Sequence, residues 1–160
     1  MPRSHPTPTL PAPEPGPRRL PPLLRRAWYG LNQAFRRRIA HLAITPDQFS
    51  ILRWLTEGDR RGLTQREITE LMAADANTVA AILRRMEEAG LISRTVHEAD
   101  RRAHRVQVKA PGRRKFIAAQ QIAVELQEDV LAALPAPELA RFLEQLEVVA
   151  GACQDAVDGK

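Results

Sequence analysis

Residues 63–108, LTQREITELMAADANTVAAILRRMEEAGLISRTVHEADRRAHRVQV, decide the fold of this chain. Their order predicts a short helix, a tight turn, a second amphipathic helix and two short strands around an arginine-rich turn. Thr64 opens TQRE, a capping box in which the threonine oxygen accepts from the amide of Glu67. After the AADAN turn, either Asp75 or Asn77 caps the second helix.

The second helix has one apolar face and one polar face. Its core residues recur at i, i+3, i+4 and i+7: Val79, Ile82, Leu83 and Met86. The opposite face is small at its N-terminal end and basic further along: Asn77, Thr78, Ala81, Arg84 and Arg85. Ile68, Leu71 and Met72 give the preceding helix its apolar face. Gly90 ends the second helix, and strands are predicted at 91–96 and 105–108.

Helices flank this region on both sides. Residues 1–17 hold seven prolines and little that a core can bury, so residues 1–18 are expected to form a disordered arm. An amphipathic helix is predicted from Pro21, with an apolar stripe of Leu24, Trp28, Leu31, Phe35, Ile39 and Leu42. Thr45 and Pro46 start another helix, which buries Phe49, Leu52 and Leu55. Two final helices are predicted at 113–134 and 138–157.

Composition limits the class of protein. A chain of 160 residues with 44% hydrophobic but only 4% aromatic residues predicts one aliphatic core, which suits helices better than sheets. No apolar run reaches the ~18 residues of a membrane span, and the N-terminus lacks the pattern of a secretory signal. A single cysteine, Cys153, fits a reducing compartment. We therefore expect a cytoplasmic protein with no membrane contact.

The net charge of +5 conceals a strong segregation. Residues 91–115 carry eight basic and two acidic residues, whereas residues 116–160 carry two basic and eight acidic residues. Residues 1–45 are also basic, with eight basic residues and one acidic residue. One surface facing a polyanion is the functional interpretation, and ordinary solvated faces are the alternative.

Residues 45–112 resemble the winged helix of the MarR family of transcription regulators. The resemblance is carried by the Asp100-Arg101-Arg102 turn, which follows GLISR at 90–94, and by MEEAG at 86–90. The flanking helices resemble the family's dimerisation arms. The implied fold is mainly α with a small β-hairpin wing, a winged helix-turn-helix with N- and C-terminal helical dimerisation arms. Its implied parts are an arm at 1–18, a dimerisation helix at 19–44, a DNA-binding domain at 45–112 and dimerisation helices at 113–160.

The resemblance implies a homodimer that binds double-stranded DNA at a palindromic operator, as a ligand-responsive repressor. In the second helix, Asn77 is expected to bond adenine, while Thr78 and Ala81 touch thymine methyls, which favours an A·T-rich half-site core. Capping is the alternative role of Asn77. Arg84 and Arg85 extend this basic face, and their alternative is solvation or pairing with neighbouring glutamates. The family often has polar or basic residues at Ala80 or Ala81, so base contacts cannot be transferred there.

The wing is the second expected DNA contact. Asp100 and Arg102 are implied to organise the wing tip, and Arg101 and Arg102 suit a narrow A·T minor groove. Arg105 and Lys109 are expected to meet phosphates, with plain exposed strand charge as the alternative. The family often has a threonine in place of Lys109, so the helix that follows is expected to start without that cap.

An effector pocket is also implied where the dimerisation helices meet the DNA-binding lobe. The candidate lining residues are the aromatics and the histidine of the first two helices: Trp28, Tyr29, Phe35, His41 and Trp54. Ordinary core packing is the alternative role for each of them. The ligand's identity cannot be read from the sequence.

Other functions have weaker support. The sequence has no glycine-rich phosphate loop and no nucleophile with a base, so we expect neither an enzyme nor a cofactor. The four histidines form no dense ligand cluster, so no metal site is expected. A winged helix that binds another protein without DNA is the remaining alternative, although such a module has no need of arginines at its wing tip.

Overall fold

The architecture follows from a computed structural model that describes residues 19–96 and 104–159. The helices are α1 (Leu20–Arg38), α2 (Pro46–Glu57), α3 (Gln65–Met72), α4 (Ala76–Glu88), α5 (Ala110–Leu131) and α6 (Leu139–Asp158). The strands are β1 (Leu63–Thr64), β2 (Ile92–Val96) and β3 (His104–Val108). This order confirms the predicted mainly helical winged helix-turn-helix.

The three strands form one antiparallel sheet in the order β1-β3-β2. Val106 of β3 lies opposite Leu63 of β1 and Arg94 of β2. Ile92 and Val106 are buried, so this face of the sheet packs on the helices. The two strands of the wing were predicted, but β1 was missed because a two-residue strand leaves no alternation to detect.

The core joins α2, α3, α4 and the sheet. Val79, Ile82, Leu83 and Met86 are buried as predicted, and Ile68 is fully buried beside them. Leu71 was predicted to share the apolar face of α3, but its side chain is 48% exposed. That prediction was wrong because Leu71 lies on the solvent side of α3, whereas Ile68 and Met72 contact the core.

Two capping boxes fix the ends of α2 and α3. The Thr45 hydroxyl accepts from the Gln48 amide at 3.2 Å, while the Gln48 side chain accepts from the Thr45 amide at 2.9 Å. The Thr64 hydroxyl accepts from the Glu67 amide at 3.2 Å, and the Glu67 carboxylate accepts from the Thr64 amide at 2.6 Å. Each pair provides hydrogen-bond partners for backbone amides that otherwise lack one at the start of a helix.

The first helix is shorter than its apolar stripe predicts. It ends at Arg38, and a single 3-10 turn, Ala40–Leu42, leads to Ala43, whose φ of 51° reverses the chain. This reversal lets Ile39 and Ile44 enter the same core. The apolar pattern therefore extends beyond α1 because Ile39 and Ile44 are also buried, although they do not belong to the helix.

Helix α5 begins at Ala110, three residues before the predicted start, and no side chain caps it. Its start is joined tightly to the wing. The Lys109 amide donates to the Leu91 carbonyl at 2.9 Å, and a Cβ on Gly112 would lie 2.3 Å from that same carbonyl oxygen. Glycine at 112 therefore permits the close approach of α5 to the residue that precedes β2.

The last helix, α6, contains no buried residue. Its apolar side chains Phe142, Leu143 and Leu146 are all more than one-third exposed. Leu23, Leu24 and Trp28 of α1 are exposed in the same way. None of the helices in the described ranges is long and apolar enough to cross a membrane.

Candidate nucleic-acid interface

The N-terminal end of α4 is set by Asp75, which settles the choice between two predicted caps. Asp75 Oδ1 accepts from the Thr78 amide at 2.9 Å, and the Thr78 hydroxyl donates to the other carboxylate oxygen. The Thr78 hydroxyl and amide lower the pKa of the Asp75 carboxyl. Asn77 therefore does not cap the helix, and its exposed side chain is left for other contacts.

A continuous stripe of α4 faces solvent. Asn77, Ala80, Ala81 and Arg84 line an open groove of about 400 Å³ beside β2. The expected face included three of these residues, and the structure adds Ala80 to it. The two alanines leave the middle of the stripe flat, so polar groups stand only at its ends.

The groove is also lined by two oppositely charged residues that were not predicted to belong to the site. Arg94 of β2 and Glu87 of α4 line it, with Arg94 Nε 3.2 Å from Glu87 Oε2. The pair lies outside hydrogen-bond angles, and this nitrogen is buried. Arg94 belongs to the GLISR motif, so a signal was present, but its contact to α4 depends on the fold.

Arg84 and Arg85 differ although they are adjacent. Arg84 is exposed and lines the groove. Arg85 Nε donates to the Ala81 carbonyl at 3.2 Å, so its guanidinium lies along its own helix. Of the predicted basic pair, Arg84 is the residue that the structure presents on the groove.

Arg105 has a partner inside the protein. Its Nη1 donates to the Gly62 carbonyl at 2.9 Å, and its side chain is half-buried. Gly62 has a φ of +84°, and a Cβ there would lie 2.2 Å from the Val106 carbonyl oxygen. This bond ties β3 to the loop before β1, and the phosphate contact of Arg105 stays a prediction.

The remaining wing residues fall into two groups. Lys109 is exposed at the base of the wing, where it precedes α5. Asp100, Arg101 and Arg102, the predicted wing tip, lie outside the described residues, as does the proline-rich arm at 1–18.

The five residues predicted to line an effector pocket occupy different environments. Phe35 is buried and stacks edge-on against Phe49, with ring centroids 4.9 Å apart. Trp54 is half-buried against the same core. Trp28, Tyr29 and His41 are exposed. None of the five lines the α4 groove, and none lines the second groove, which lies between the end of α2 and the first turn of α5.

Residues 44–104 match the model of the MarR family. The transcriptional regulator HosA of Escherichia coli O127:H6 is 29% identical over 127 residues, which cover 76% of this chain and 93% of HosA.

Solved structures give the same result. The transcriptional repressor CouR bound to a 23-mer DNA duplex superposes with a TM-score of 0.72 at 29% identity, covering 80% of this chain and 89% of CouR. The Staphylococcus aureus MepR–DNA complex has a TM-score of 0.75 at 24% identity, covers 81% of this chain and 95% of MepR, and supports the fold.

The matched segment contains α2, both capping boxes, the α4 stripe and the strands of the wing up to His104. Residues 44–104 thus match the MarR family model, and most of the chain is similar to winged-helix, DNA-binding transcriptional regulators of that family.

Proposed function

We propose that this regulator represses transcription by binding a palindromic operator as a homodimer, and that a ligand changes its affinity for DNA. The exposed stripe of α4 carries the proposal. Its neighbours are held by intramolecular bonds, whereas Asn77 and Arg84 stand at the two ends of an accessible groove. A helix presented in this way fits the major groove of DNA.

The stripe favours an A·T-rich half-site core. Asn77 can bond the N6 and N7 atoms of adenine, and Ala81 can contact a thymine methyl. The Thr78 hydroxyl is taken by Asp75, so its methyl group is the part left for an apolar contact. The small side chains at Ala80 and Ala81 let the helix backbone approach the base edges closely.

The wing supplies the second contact in this proposal. Arg101 and Arg102 reach a minor groove, where A·T sequence raises the negative potential, and Asp100 orders the turn. Lys109 meets a phosphate at the base of the wing. The Arg105–Gly62 bond supports this arrangement because it holds β3 against the loop before β1.

Dimerisation is proposed through residues 19–44 and 113–160, leaving 45–112 as the DNA-binding domain. The support is the exposed apolar surface of α1 and the absence of any buried residue in α6. A helix of 20 residues with an apolar stripe needs a partner to bury it. Two copies related by a two-fold axis would place two wings and two α4 helices on one palindrome.

A ligand is proposed because CouR has also been seen bound to p-coumaroyl-CoA. Trp28 and Tyr29 are exposed on α1, and a second protomer would bring further surface to them. Phe35 and Trp54 pack on the core between α1 and α2 and would transmit a change there. His41 lies in the adjoining 3-10 turn.

A gel-shift assay with the DNA upstream of the protein's own gene tests the proposal. We expect a salt-sensitive shift, and we expect Arg84→Ala to weaken binding by about tenfold, since it removes one base or phosphate contact. Arg141→Ala on α6 is the control and should bind normally.

Two outcomes would contradict this proposal. If no promoter fragment shifts at low salt, the chain is better explained as a winged helix that binds protein. If selection from random DNA returns G·C-rich sequence under α4, the A·T half-site is wrong.

A further inference from the structure

A second groove lies on the other side of the wing from α4. It measures about 560 Å³ and joins three parts of the chain: the end of α2, the base of the wing and the first turn of α5. Its polar lining comes from Thr56, Arg60, Ser93, Gln107 and Arg113. A volume of this size suits a small molecule.

The groove presents hydrogen-bond donors and cations. Arg60 comes from the loop after α2 and Arg113 from α5, and neither guanidinium has a partner within the described ranges. No carboxylate lines the described groove. The nearby Asp59 is already held by Arg61, whose Nε and Nη2 lie 3.0 and 2.8 Å from Asp59 Oδ2. The two arginines therefore have an uncompensated positive charge on one small surface.

Thr56 adds a donor that lacks a partner. Its hydroxyl oxygen is buried and makes no hydrogen bond among the described residues. Hydroxyls within helices usually donate to the carbonyl four residues earlier, as Ser50 does to Pro46 and Thr69 to Gln65. A buried hydroxyl without a partner is unfavourable, so the described residues leave the wall of the groove at Thr56 incompletely hydrogen-bonded.

The start of α5 adds to the positive electrostatic potential of this groove. It has no side-chain cap and no acidic residue in its first turn, where Arg113 follows Gly112. Cations at this end of a helix oppose the helix dipole, whereas an anion there is favoured.

We propose that this groove binds a small anion bearing a carboxylate or phosphate group, held by Arg60 and Arg113 beside Thr56. Both anions accept several hydrogen bonds from a guanidinium in a paired geometry. The anion would link α5, which belongs to the proposed dimerisation arm, to the loop that supports the wing. Its effect on DNA affinity rests on the proposed function, whereas anion binding itself does not.

Calorimetric titration of the full chain tests the site without DNA. The probes are inorganic phosphate and citrate, at an ionic strength held constant with sodium chloride. We expect saturable binding, weakened at least about tenfold in Arg60→Gln and in Arg113→Gln, because each loses a charge-assisted contact.

Arg114→Gln is the matched control. It removes the same charge from the same turn of α5, but Arg114 does not line the groove. The control should bind both probes as the original chain does. Melting curves of all variants without anion verify that each is folded.

Three results would overturn the proposal. The first is the absence of saturable binding by either probe, and the second is equal weakening in the Arg114 and Arg113 variants, which indicates general charge attraction. The third is a loss of DNA affinity in the Arg60 and Arg113 variants with no response to free anions. That result would assign the groove to a DNA phosphate instead.

Discussion

Asp75 is the residue on which the position of α4 depends. It caps the helix through the Thr78 amide, and it also fixes the Thr78 hydroxyl. The carboxylate thereby leaves the methyl group of Thr78 for the proposed DNA contact, in addition to stabilising the helix start. These two bonds lower the pKa of the Asp75 carboxyl, so the cap stays ionised to a more acidic pH than an ordinary aspartate would.

Asp75→Ala should lower the free energy of unfolding by the modest amount that is typical of a lost helix cap. It should also weaken operator binding, because the first turn of α4 frays where Asn77 and Thr78 lie. Asp75→Asn retains an acceptor oxygen and serves as the control. Urea unfolding and gel shifts measure the two effects, and equal stability of the alanine and asparagine variants would argue against a capping role.

Asp59 shows how a loop residue can fix the sheet. It accepts from the Arg61 side chain and from the Arg61 amide, and these bonds lower its pKa from 3.8 to about 2. The loop that it folds carries the Gly62 carbonyl, to which Arg105 is bonded. Two exposed residues thus order a turn that a half-buried arginine holds against β3.

The pH dependence of stability follows from the sign of this shift. Because folding lowers the pKa of Asp59, its contribution is complete above pH 3.8 and is lost as pH falls towards 2. Urea unfolding at pH 5, 3.5 and 2.5 should therefore show a steeper loss of stability for the original chain than for Asp59→Asn. Parallel losses in both proteins would contradict the assignment.

At the scale of elements, the sequence predicted what local chemistry determines. Thr45 and Thr64 could be identified as caps because each partner lies three residues away. The partner of Arg105 lies 43 residues away in Gly62, so only the fold could show that this arginine is engaged. Arg94 was missed in the same way, since its ion pair joins a strand to a helix.

The α4 stripe was predicted for the same local reason. Helical spacing separates the buried Val79 and Leu83 from the exposed Asn77 and Arg84. Spacing alone could not distinguish Arg84 from Arg85, because the bond from Arg85 to the Ala81 carbonyl is a matter of side-chain conformation.

Lys109 links the wing to α5 and gives a prediction for this junction. If its exposed ammonium meets one phosphate, Lys109→Gln should reduce the slope of log affinity against log salt by about one unit. Sequence preference should stay unchanged, because a phosphate contact carries no base information. Fluorescence anisotropy over a range of salt measures the slope, and an unchanged slope would remove Lys109 from the interface.

At the scale of the whole molecule, α1 and α6 present apolar surface that the single chain leaves open. Leu143 and Leu146 lie on one side of α6, and Val148 lies on the other, where it is 72% exposed. The acidic residues of 116–160 and the basic residues of 1–45 also suit contact between copies. Association would bury the stripe and bring these charges together.

The double variant Leu143→Glu, Leu146→Glu should sediment as a monomer at micromolar concentration, because two carboxylates would enter an apolar contact. It should also lose operator binding, since a single winged helix contacts few base pairs. Val148→Glu is the control and should remain dimeric. Analytical ultracentrifugation decides between these results, and a dimeric double variant would place the interface elsewhere.

The junction at Gly112 has a mechanical consequence. Because α5 meets the Leu91 carbonyl with no room for a side chain at Gly112, we expect the helix and the base of the wing to move together. At ~1.5 Å per residue, the 22 residues of α5 span ~33 Å, so a tilt of ~5° about the C-terminal end displaces the end that contacts the wing by ~3 Å. That displacement is close to the ~3.4 Å between neighbouring base pairs. In the proposed DNA complex, such a rotation would shift the wing by about one base-pair step along the duplex.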